Sequence, residues 1–314
     1  MEPVYIKKGE SYMKKNKTMI IVFLTPALLC YLLVFLYPSF RTIIMSFFNV
    51  EGVTDPISTW SFAGLKNYRT IISTPLFIRS MTNIGTLWLV GGTLVMVVSL
   101  FFAVSLTSGI KQMKFYRSVI YLPNVVSAVA MGTMWINYVY NSDYGLLHNV
   151  FKTLHLNAAA ETLWTGPDHL FWSMMVAYCF GMVGYHMLIF VSGIDQIPKD
   201  YHEAARIEGA NTAQRFRFIT LPFLKGSIRT NIVMWTVFTV GFFIWGQLFS
   251  PVNLSNSTVA PLNYMYELVF GSSSTAVTVR DSGAGAAIGV TMMMIVLIVF
   301  GVTNLLTKDD DIEF

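Results

Sequence analysis

The sequence predicts an all-α polytopic membrane protein with six transmembrane helices and with both termini in the cytoplasm. Of its 314 residues, 54% are hydrophobic and only 12% are charged, about half the charged share of an average soluble domain. Apolar, charge-free windows long enough to cross a bilayer occur six times along the chain. Most of the lysine and arginine residues lie in alternate loops between these windows.

The six windows each reach the roughly 20 apolar residues that a membrane-spanning helix needs. They cover residues 18–40, 80–110, 118–142, 170–194, 230–250 and 282–307. The first follows a lysine-rich start, as the apolar part of a signal peptide does. Its apolar run is too long for a signal peptide, however, and no small-residue cleavage site follows it. We therefore interpret it as a retained span.

The positions of the basic residues predict the side of the membrane on which each loop lies. With the amino terminus in the cytoplasm, most of the 21 basic residues fall on the cytoplasmic side. We accordingly expect residues 1–17 to be a cytoplasmic segment, 18–307 to form one membrane domain, and 308–314 to be a cytoplasmic tail. A cytoplasmic loop, residues 195–226, then separates the fourth span from the fifth.

The first half of this polar loop predicts a short helix. Pro198 ends the preceding helix, because proline lacks a backbone donor and restricts the residue before it. Asp200 is the expected cap at the start of the short helix. Gly209 is the expected residue just after its end, where a left-handed backbone favours glycine.

The second half of the loop predicts another short helix with a polar side. Asn211, followed three residues later by Gln214, has the spacing of a capping box. Leu221-Pro222 is the expected end of this helix. By pattern alone, such a pair also suits an interfacial helix of an ordinary membrane loop, or a DNA-binding helix-turn-helix. The flanking membrane windows disfavour the second alternative.

The internal spacing of the loop resembles the EAA loop of binding-protein-dependent ABC import permeases. A glycine stands four residues after the second alanine, and nine residues separate it from Ile219-Thr220-Leu221-Pro222. The matching residues are Glu203, Ala204, Ala205, Gly209, Ile219, Leu221 and Pro222. Two shorter segments resemble sequences frequent in sugar permeases, namely Phe62-Ala63-Gly64-Leu65-Lys66-Asn67-Tyr68 and Tyr144-Gly145-Leu146-Leu147-His148-Asn149.

The resemblance is closest to the oligosaccharide-importer permeases of the maltose type. It implies a complex in the bacterial inner (cytoplasmic) membrane, in contact with lipid, whose cargo is a sugar. This subunit would pair with a similar second permease, with two cytoplasmic ATPases and with an extracytoplasmic binding protein. The matching residues of the EAA loop would contact one ATPase. ATP and Mg would be bound by the ATPases, with no cofactor or nucleic acid bound by this chain.

Motifs for catalysis are absent from the sequence. There is no G-x-x-x-x-G-K-[ST] to hold ATP phosphates, and no H-E-x-x-H, C-x-x-C or G-x-S-x-G. We therefore expect no catalytic residue and no metal site. The six windows also lack Asp, Glu, Lys and Arg, which disfavours a proton-driven carrier. A secondary carrier or channel using neutral oxygens, and a scaffold without transport, stay open as other classes.

Neutral polar and aromatic residues in the central windows are the candidates for a substrate path. A sugar presents hydroxyls and apolar C–H faces, which suit neutral hydrogen-bonding groups beside flat rings. The candidates, several of which share helical faces, are Asn124, Ser127, Tyr178, Gly181, Met182, Tyr185, Trp235, Phe238, Thr239 and Phe242. The alternative is ordinary packing between helices. Glycerol phosphate and polyamine are the alternative substrates. A phosphate substrate would favour a basic residue in the spans, and the six windows contain none.

Overall fold

The computed structural model describes residues 6–250, 256–271 and 280–306. The predicted tail, residues 308–314, and part of the loop before the last window lie outside them. The described chain is mostly helical. Its strands form one antiparallel pair, Phe48–Asn49 with Ser61–Phe62, in which Phe48 lies opposite Phe62.

The six windows correspond to helical segments that we label in chain order. They are α1 (Met19–Met45), α2 (Pro75–Thr107), α3 (Met113–Val125), α4 (Leu170–Asp195), α5 (Lys225–Val240) and α6 (Ser282–Leu306). The helix of α1 extends back to Ile6. Single π-helical turns interrupt α1 at Leu32–Leu36 and α2 at Leu87–Gly91.

Shorter helices connect these segments. Between α1 and α2 lie the 3₁₀ turn Ile57–Thr59 and the helix Lys66–Ser73. After α3 come Ala128–Met134, the π-helical turn Trp135–Val139, Leu146–Thr153 and Asn157–Ala160. Between α4 and α5 lie Lys199–Ile207, Thr212–Arg215, the π-helical turn Phe216–Thr220 and Leu221–Phe223. After α5 come Ile244–Phe249 and Pro261–Phe270.

The third window, predicted as one span, is a bent pair of helices. The segment Ala128–Val139 turns away from α3 by 94°. Pro123 lies in the last turn of α3 and cannot donate a bond to the turn before it. Ser127 then caps the new helix, accepting a hydrogen bond from the Ala130 N–H at 3.3 Å. Proline and a serine cap together account for the bend.

The fifth window, predicted as one span over residues 230–250, is also interrupted. α5 has 16 residues, fewer than a membrane-spanning helix needs, and ends at Val240. At the break, Phe242 turns inward and is buried against Tyr178. In the described residues, α1, α2, α4 and α6 are each long and apolar enough to cross a membrane, and the bent pair is a fifth candidate.

α4 lies at the centre of the molecule, packed against α2, α3 and α5. α3 crosses it so closely that a Cβ added at Gly184 would collide with the Ile120 carbonyl oxygen and with Tyr121 Cα. α1 is peripheral, because its apolar side chains, such as Phe23 and Leu33, are exposed. Exposed apolar helices of this length are typical of a protein whose surroundings are lipid.

Polar contacts gather the loops at the two ends of the bundle. At one end, Arg117 at the start of α3 forms an ion pair with Asp195 at the end of α4, at 3.3 Å. At the other end, the Asn67 amide donates to the Phe48 carbonyl at 2.8 Å, and the Ser282 hydroxyl donates to the Glu51 carbonyl at 2.9 Å. The loop before α3 and the loop after α4, both predicted to be cytoplasmic, therefore lie at the same end of the bundle.

Candidate functional site

The first helix of the EAA loop, Lys199–Ile207, begins without a side-chain cap. Its N-cap residue is Pro198, whose extended backbone leads directly into the first turn. The prediction that Asp200 is the cap is therefore wrong, because the helix starts earlier than expected. Asp200 lies inside the first turn, where its carboxylate still interacts favourably with the positive end of the helix.

The end of this helix is a Schellman motif centred on Gly209. The Ala210 N–H donates to the Ala205 carbonyl at 2.9 Å, and the Gly209 N–H donates to the Arg206 carbonyl at 3.1 Å. Gly209 has a φ of +81°, the left-handed conformation that the sequence predicts for it. The loop consequently reverses direction at a residue that only glycine occupies without strain.

The second helix of the loop starts with the predicted capping box. The Gln214 N–H donates to Asn211 Oδ1 at 2.9 Å, and the Asn211 N–H donates to Gln214 Oε1 at 2.8 Å. The prediction that Leu221-Pro222 ends this helix is wrong. The Leu221 N–H bonds to the Phe216 carbonyl, five residues back, and the helix continues to Phe223. This wider turn accommodates the ring of Pro222.

The two short helices form one exposed unit at the end of α4. The rings of Tyr201 and Phe223 pack together with centroids 5.1 Å apart. Ile207 is 87% exposed and Phe218 is 70% exposed, although both are apolar. Of the predicted coupling residues, Glu203, Ala204, Gly209, Leu221 and Pro222 are exposed, and Ala205 and Ile219 are half-buried. Ile207 and Phe218, which the motif does not mark, therefore enlarge the exposed surface of the EAA loop.

The predicted faces of α4 and of the fifth window meet in the structure. The ring centroids of Tyr178 and Phe242 are 4.8 Å apart, and those of Tyr178 and Trp235 are 5.6 Å apart. Those of Tyr185 and Phe238 are 5.0 Å apart, edge to face. The spacing of the aromatic residues in the sequence thus indicates a real contact between the two segments.

Burial divides these residues into two groups. The first is buried within the chain and comprises Tyr178, Gly181, Met182, Trp235, Thr239 and Phe242. Trp235 is held further by its indole N–H, which donates to the Trp88 carbonyl at 2.9 Å. By contrast, Tyr185 is half-buried and Phe238 is 37% exposed. Tyr185 and Phe238 are thus the members of these faces whose side chains keep exposed surface, whereas the buried group packs between the helices.

The two substrate-path candidates near the bend after α3, Asn124 and Ser127, both form hydrogen bonds with the backbone. The Asn124 amide donates to the Gly181 carbonyl at 3.1 Å and so ties α3 to α4. Ser127, an exposed residue, is the cap of the helix after the bend. Both residues thus have structural partners within the chain, in addition to any contact with a solute.

A buried polar pair joins α4 to α5 and is absent from the sequence-based candidates. His186 Nδ1 lies 2.7 Å from Asn231 Oδ1, and both side chains are completely buried. One feature of the sequence does indicate it: Asn231 is a polar residue one helical turn before Trp235 in an otherwise apolar segment. An amide in such a segment is costly unless another side chain pairs with it. Sequence reasoning could not identify that partner.

Residues 96–309 match the family described as binding-protein-dependent transport system inner membrane component. The match covers more than half of the chain. The chain belongs to this family. The matched region of this inner membrane component contains the EAA loop and the helices α3, α4 and α5.

Relatives of this inner membrane component include carbohydrate transport proteins. It is 28% identical over 299 residues to a probable starch degradation products transport system permease protein, AmyD, of Thermoanaerobacterium thermosulfurigenes, covering 95% of this chain and 97% of AmyD. It is 26% identical over 299 residues to the arabinooligosaccharides transport system permease protein AraP of Halalkalibacterium halodurans, covering 92% of this chain and 87% of AraP.

The fold is similar to that of a solved ABC transporter. A chain of a bacterial ABC transporter involved in the import of the acidic polysaccharide alginate aligns with a TM-score of 0.77. The alignment covers 95% of this chain and 97% of the other, at 18% sequence identity. At this identity the likeness establishes the fold of the inner membrane component and nothing about its solute.

Proposed function

We propose that this chain is the permease subunit of an ATP-driven ABC importer, and that it forms half of the translocation path for a sugar or oligosaccharide. An extracytoplasmic binding protein delivers the solute. The observation that carries the proposal is the EAA loop, whose two capped helices present exposed apolar side chains at one end of the bundle. The carbohydrate transport relatives support the solute class.

The partners follow from the resemblance to ABC import permeases. The sequence has no P-loop of its own, and the resemblance implies that ATP and Mg are bound by two cytoplasmic ATPases. Ile207 and Phe218 belong to the surface that docks on one of them. A similar second permease supplies the other half of the path, and the exposed apolar side chains of α1 contact that subunit or lipid. No nucleic acid takes part.

Coupling uses the connection between the EAA loop and the central helices. The loop joins α4 directly to α5, so a displacement of the loop by the ATPases moves both helices. The Tyr185 and Phe238 rings, one from each helix, then change their relative position at the path. Neutral aromatic and hydroxyl-bearing side chains suit a sugar, and Tyr185 supplies both features.

The proposed location is the bacterial inner membrane, with both termini and the EAA loop in the cytoplasm. Residues 18–307 form the membrane domain, flanked by cytoplasmic residues 1–17 and 308–314. Six crossings are completed when α3 and Ala128–Val139 count as one bent span and when α5 crosses together with Ile244–Phe249. The ion pair between Arg117 and Asp195 supports a shared side for the loops that it joins.

Reconstitution tests this proposal. The chain would be purified with its partner permease and ATPases, placed in liposomes, and supplied with the binding protein and a panel of solutes. Starch-derived and arabinose oligosaccharides, glycerol phosphate and a polyamine would be compared. We expect uptake of a carbohydrate that requires both ATP and the binding protein. Uptake driven by an ion gradient without ATP would contradict the importer, and uptake of another solute would contradict the carbohydrate assignment.

A further inference from the structure

A cavity of about 510 Å³ lies between the EAA loop and the adjoining ends of α2 and α4. Thr107, the last residue of α2, and Asp195, the last residue of α4, both line it. The cavity is therefore level with the ends of two membrane-spanning helices. Its remaining wall is formed by the two short helices of the EAA loop.

The cavity carries an excess of positive charge. The cations Lys199, Arg206 and Arg215 line it, whereas its carboxylates are Asp195 and Glu203. The Asp195 carboxylate is already paired with Arg117, a residue outside the cavity lining, at 3.3 Å. Glu203 alone then remains to offset the basic side chains.

The surroundings of Arg215 and His202 both indicate that the positive charge of the cavity is not fully balanced by carboxylates. The Nε atom of Arg215 is buried and has no hydrogen-bond partner among the described residues. Its Nη2 donates to the neutral Thr212 hydroxyl, at 3.2 Å. Burial lowers the pKa of His202, and the positive charges of Arg215 and Arg206 lower it further. The half-buried guanidinium of Arg215 thus retains donors for an anion.

The walls also include apolar side chains beside the basic ones. Val104 of α2, Ile194 of α4 and Phe216 of the loop line the same cavity. A soluble anion would need only the cations. A phospholipid, by contrast, places a phosphate next to the first carbons of its acyl chains, and basic clusters just outside membrane spans attract anionic lipids.

We infer that this cavity binds the phosphate group of an anionic phospholipid from the adjacent leaflet. Arg206 and Arg215 bind the phosphate, and the acyl-chain end contacts Val104 and Ile194. The lipid thereby links the EAA loop to the ends of α2 and α4. This inference depends on the loop lying at the membrane surface, and it holds for any transported solute.

The test measures lipid binding to the purified complex with its partner subunits. Native mass spectrometry would count the molecules of phosphatidylglycerol, or of phosphatidylcholine with the same chains, that remain bound after washing with detergent. The variants are Arg206→Gln, the double variant Arg206→Gln/Arg215→Gln, and Arg217→Gln. Arg217 is the matched control, because it is exposed in the same loop, stacks on Phe218 and does not line the cavity.

We expect the wild-type complex to retain phosphatidylglycerol in preference to phosphatidylcholine. Its affinity should fall roughly tenfold or more in the double variant, since two cationic contacts are lost. Arg206→Gln should show a smaller loss of affinity. Because Arg206 is exposed, this variant should fold normally, so its loss tests the inference even if the double variant is misfolded. Arg217→Gln should bind as the wild type does.

Four results would overturn the inference. The first is equal retention of the two lipids, and the second is equal loss in Arg217→Gln. The third is displacement of phosphatidylglycerol by millimolar inorganic phosphate, which would reassign the cavity to a soluble anion. The fourth is lipid binding only after the ATPases are stripped away, which would make the cavity part of the ATPase contact.

Discussion

His186 donates a hydrogen bond from Nδ1 to Asn231 Oδ1, 2.7 Å away, and so joins the two helices on either side of the EAA loop. Because an amide oxygen can only accept, Nδ1 carries the proton, and in the neutral imidazole the other ring nitrogen, Nε2, is left as an acceptor. Neither His186 Nε2 nor Asn231 Nδ2 has a partner among the described residues, and both atoms are buried. A movement of α4 against α5 that separates the two side chains would therefore break a buried polar contact.

The first prediction concerns the stability that this pair contributes. Asn231→Leu should destabilise the complex by about 1–3 kcal/mol, because it leaves a buried imidazole without a partner. The double variant His186→Phe/Asn231→Leu should lose less than the sum of the single variants, since no polar group is then orphaned. Thermal unfolding of the detergent-purified complex measures both. Thr93→Val, an exposed site whose hydroxyl bonds within its own helix, is the control. Strictly additive losses would contradict a direct coupling.

The second prediction separates substrate contact from packing. Tyr185→Ala should raise the solute concentration needed for half-maximal uptake while the ATPases still copurify, because Tyr185 is half-buried at the end of the aromatic contact. Phe242→Ala should instead impair assembly, since a buried phenylalanine replaced by alanine costs about 3–5 kcal/mol. Uptake kinetics and copurification are measured together. If Tyr185→Ala loses its ATPases, Tyr185 also belongs to the packing.

The third prediction concerns the turn of the EAA loop. Gly209→Val should strain the left-handed residue by about 1–2 kcal/mol, and space is not the obstacle because nothing lies within 4 Å of an added Cβ. The variant complex should insert normally but lose its ATPases, or hydrolyse ATP without uptake. Gly209→Asn is the matched control, because asparagine tolerates this conformation better. Wild-type uptake and ATPase association in Gly209→Val would remove the coupling role.

The fourth prediction concerns topology. An impermeant thiol reagent should label Ser273→Cys in intact cells and leave Thr212→Cys unlabelled. Thr212 is exposed in the EAA loop, so it is reachable once the membrane is opened. Ser273 lies outside the described residues. The chain with only its native Cys30 and Cys179, both in apolar windows, is the control and should stay unlabelled. The opposite labelling pattern would invert the orientation.

The local features of the EAA loop were predictable because their contacts are short in sequence. The capping box joins Asn211 to Gln214, and the Schellman motif joins Gly209 and Ala210 to the turn just before them. The end of the second helix was not predictable in the same way. Whether Pro222 stops a helix depends on whether the preceding turn widens, and a π-helical turn at Phe216–Thr220 does so here.

By itself, the sequence determined that this protein is a helical membrane protein with an EAA loop, because hydropathy and residue spacing are read along the chain. The tertiary structure decided which residues pack and which remain exposed. Tyr178 and Tyr185 lie two helical turns apart on one face, yet only Tyr178 is enclosed by Trp235, Phe242 and Trp245. The His186–Asn231 pair, 45 residues apart in sequence, was likewise decided by the tertiary structure. Burial and long-range hydrogen bonds depend on the neighbours that folding supplies, and a linear pattern does not contain those neighbours.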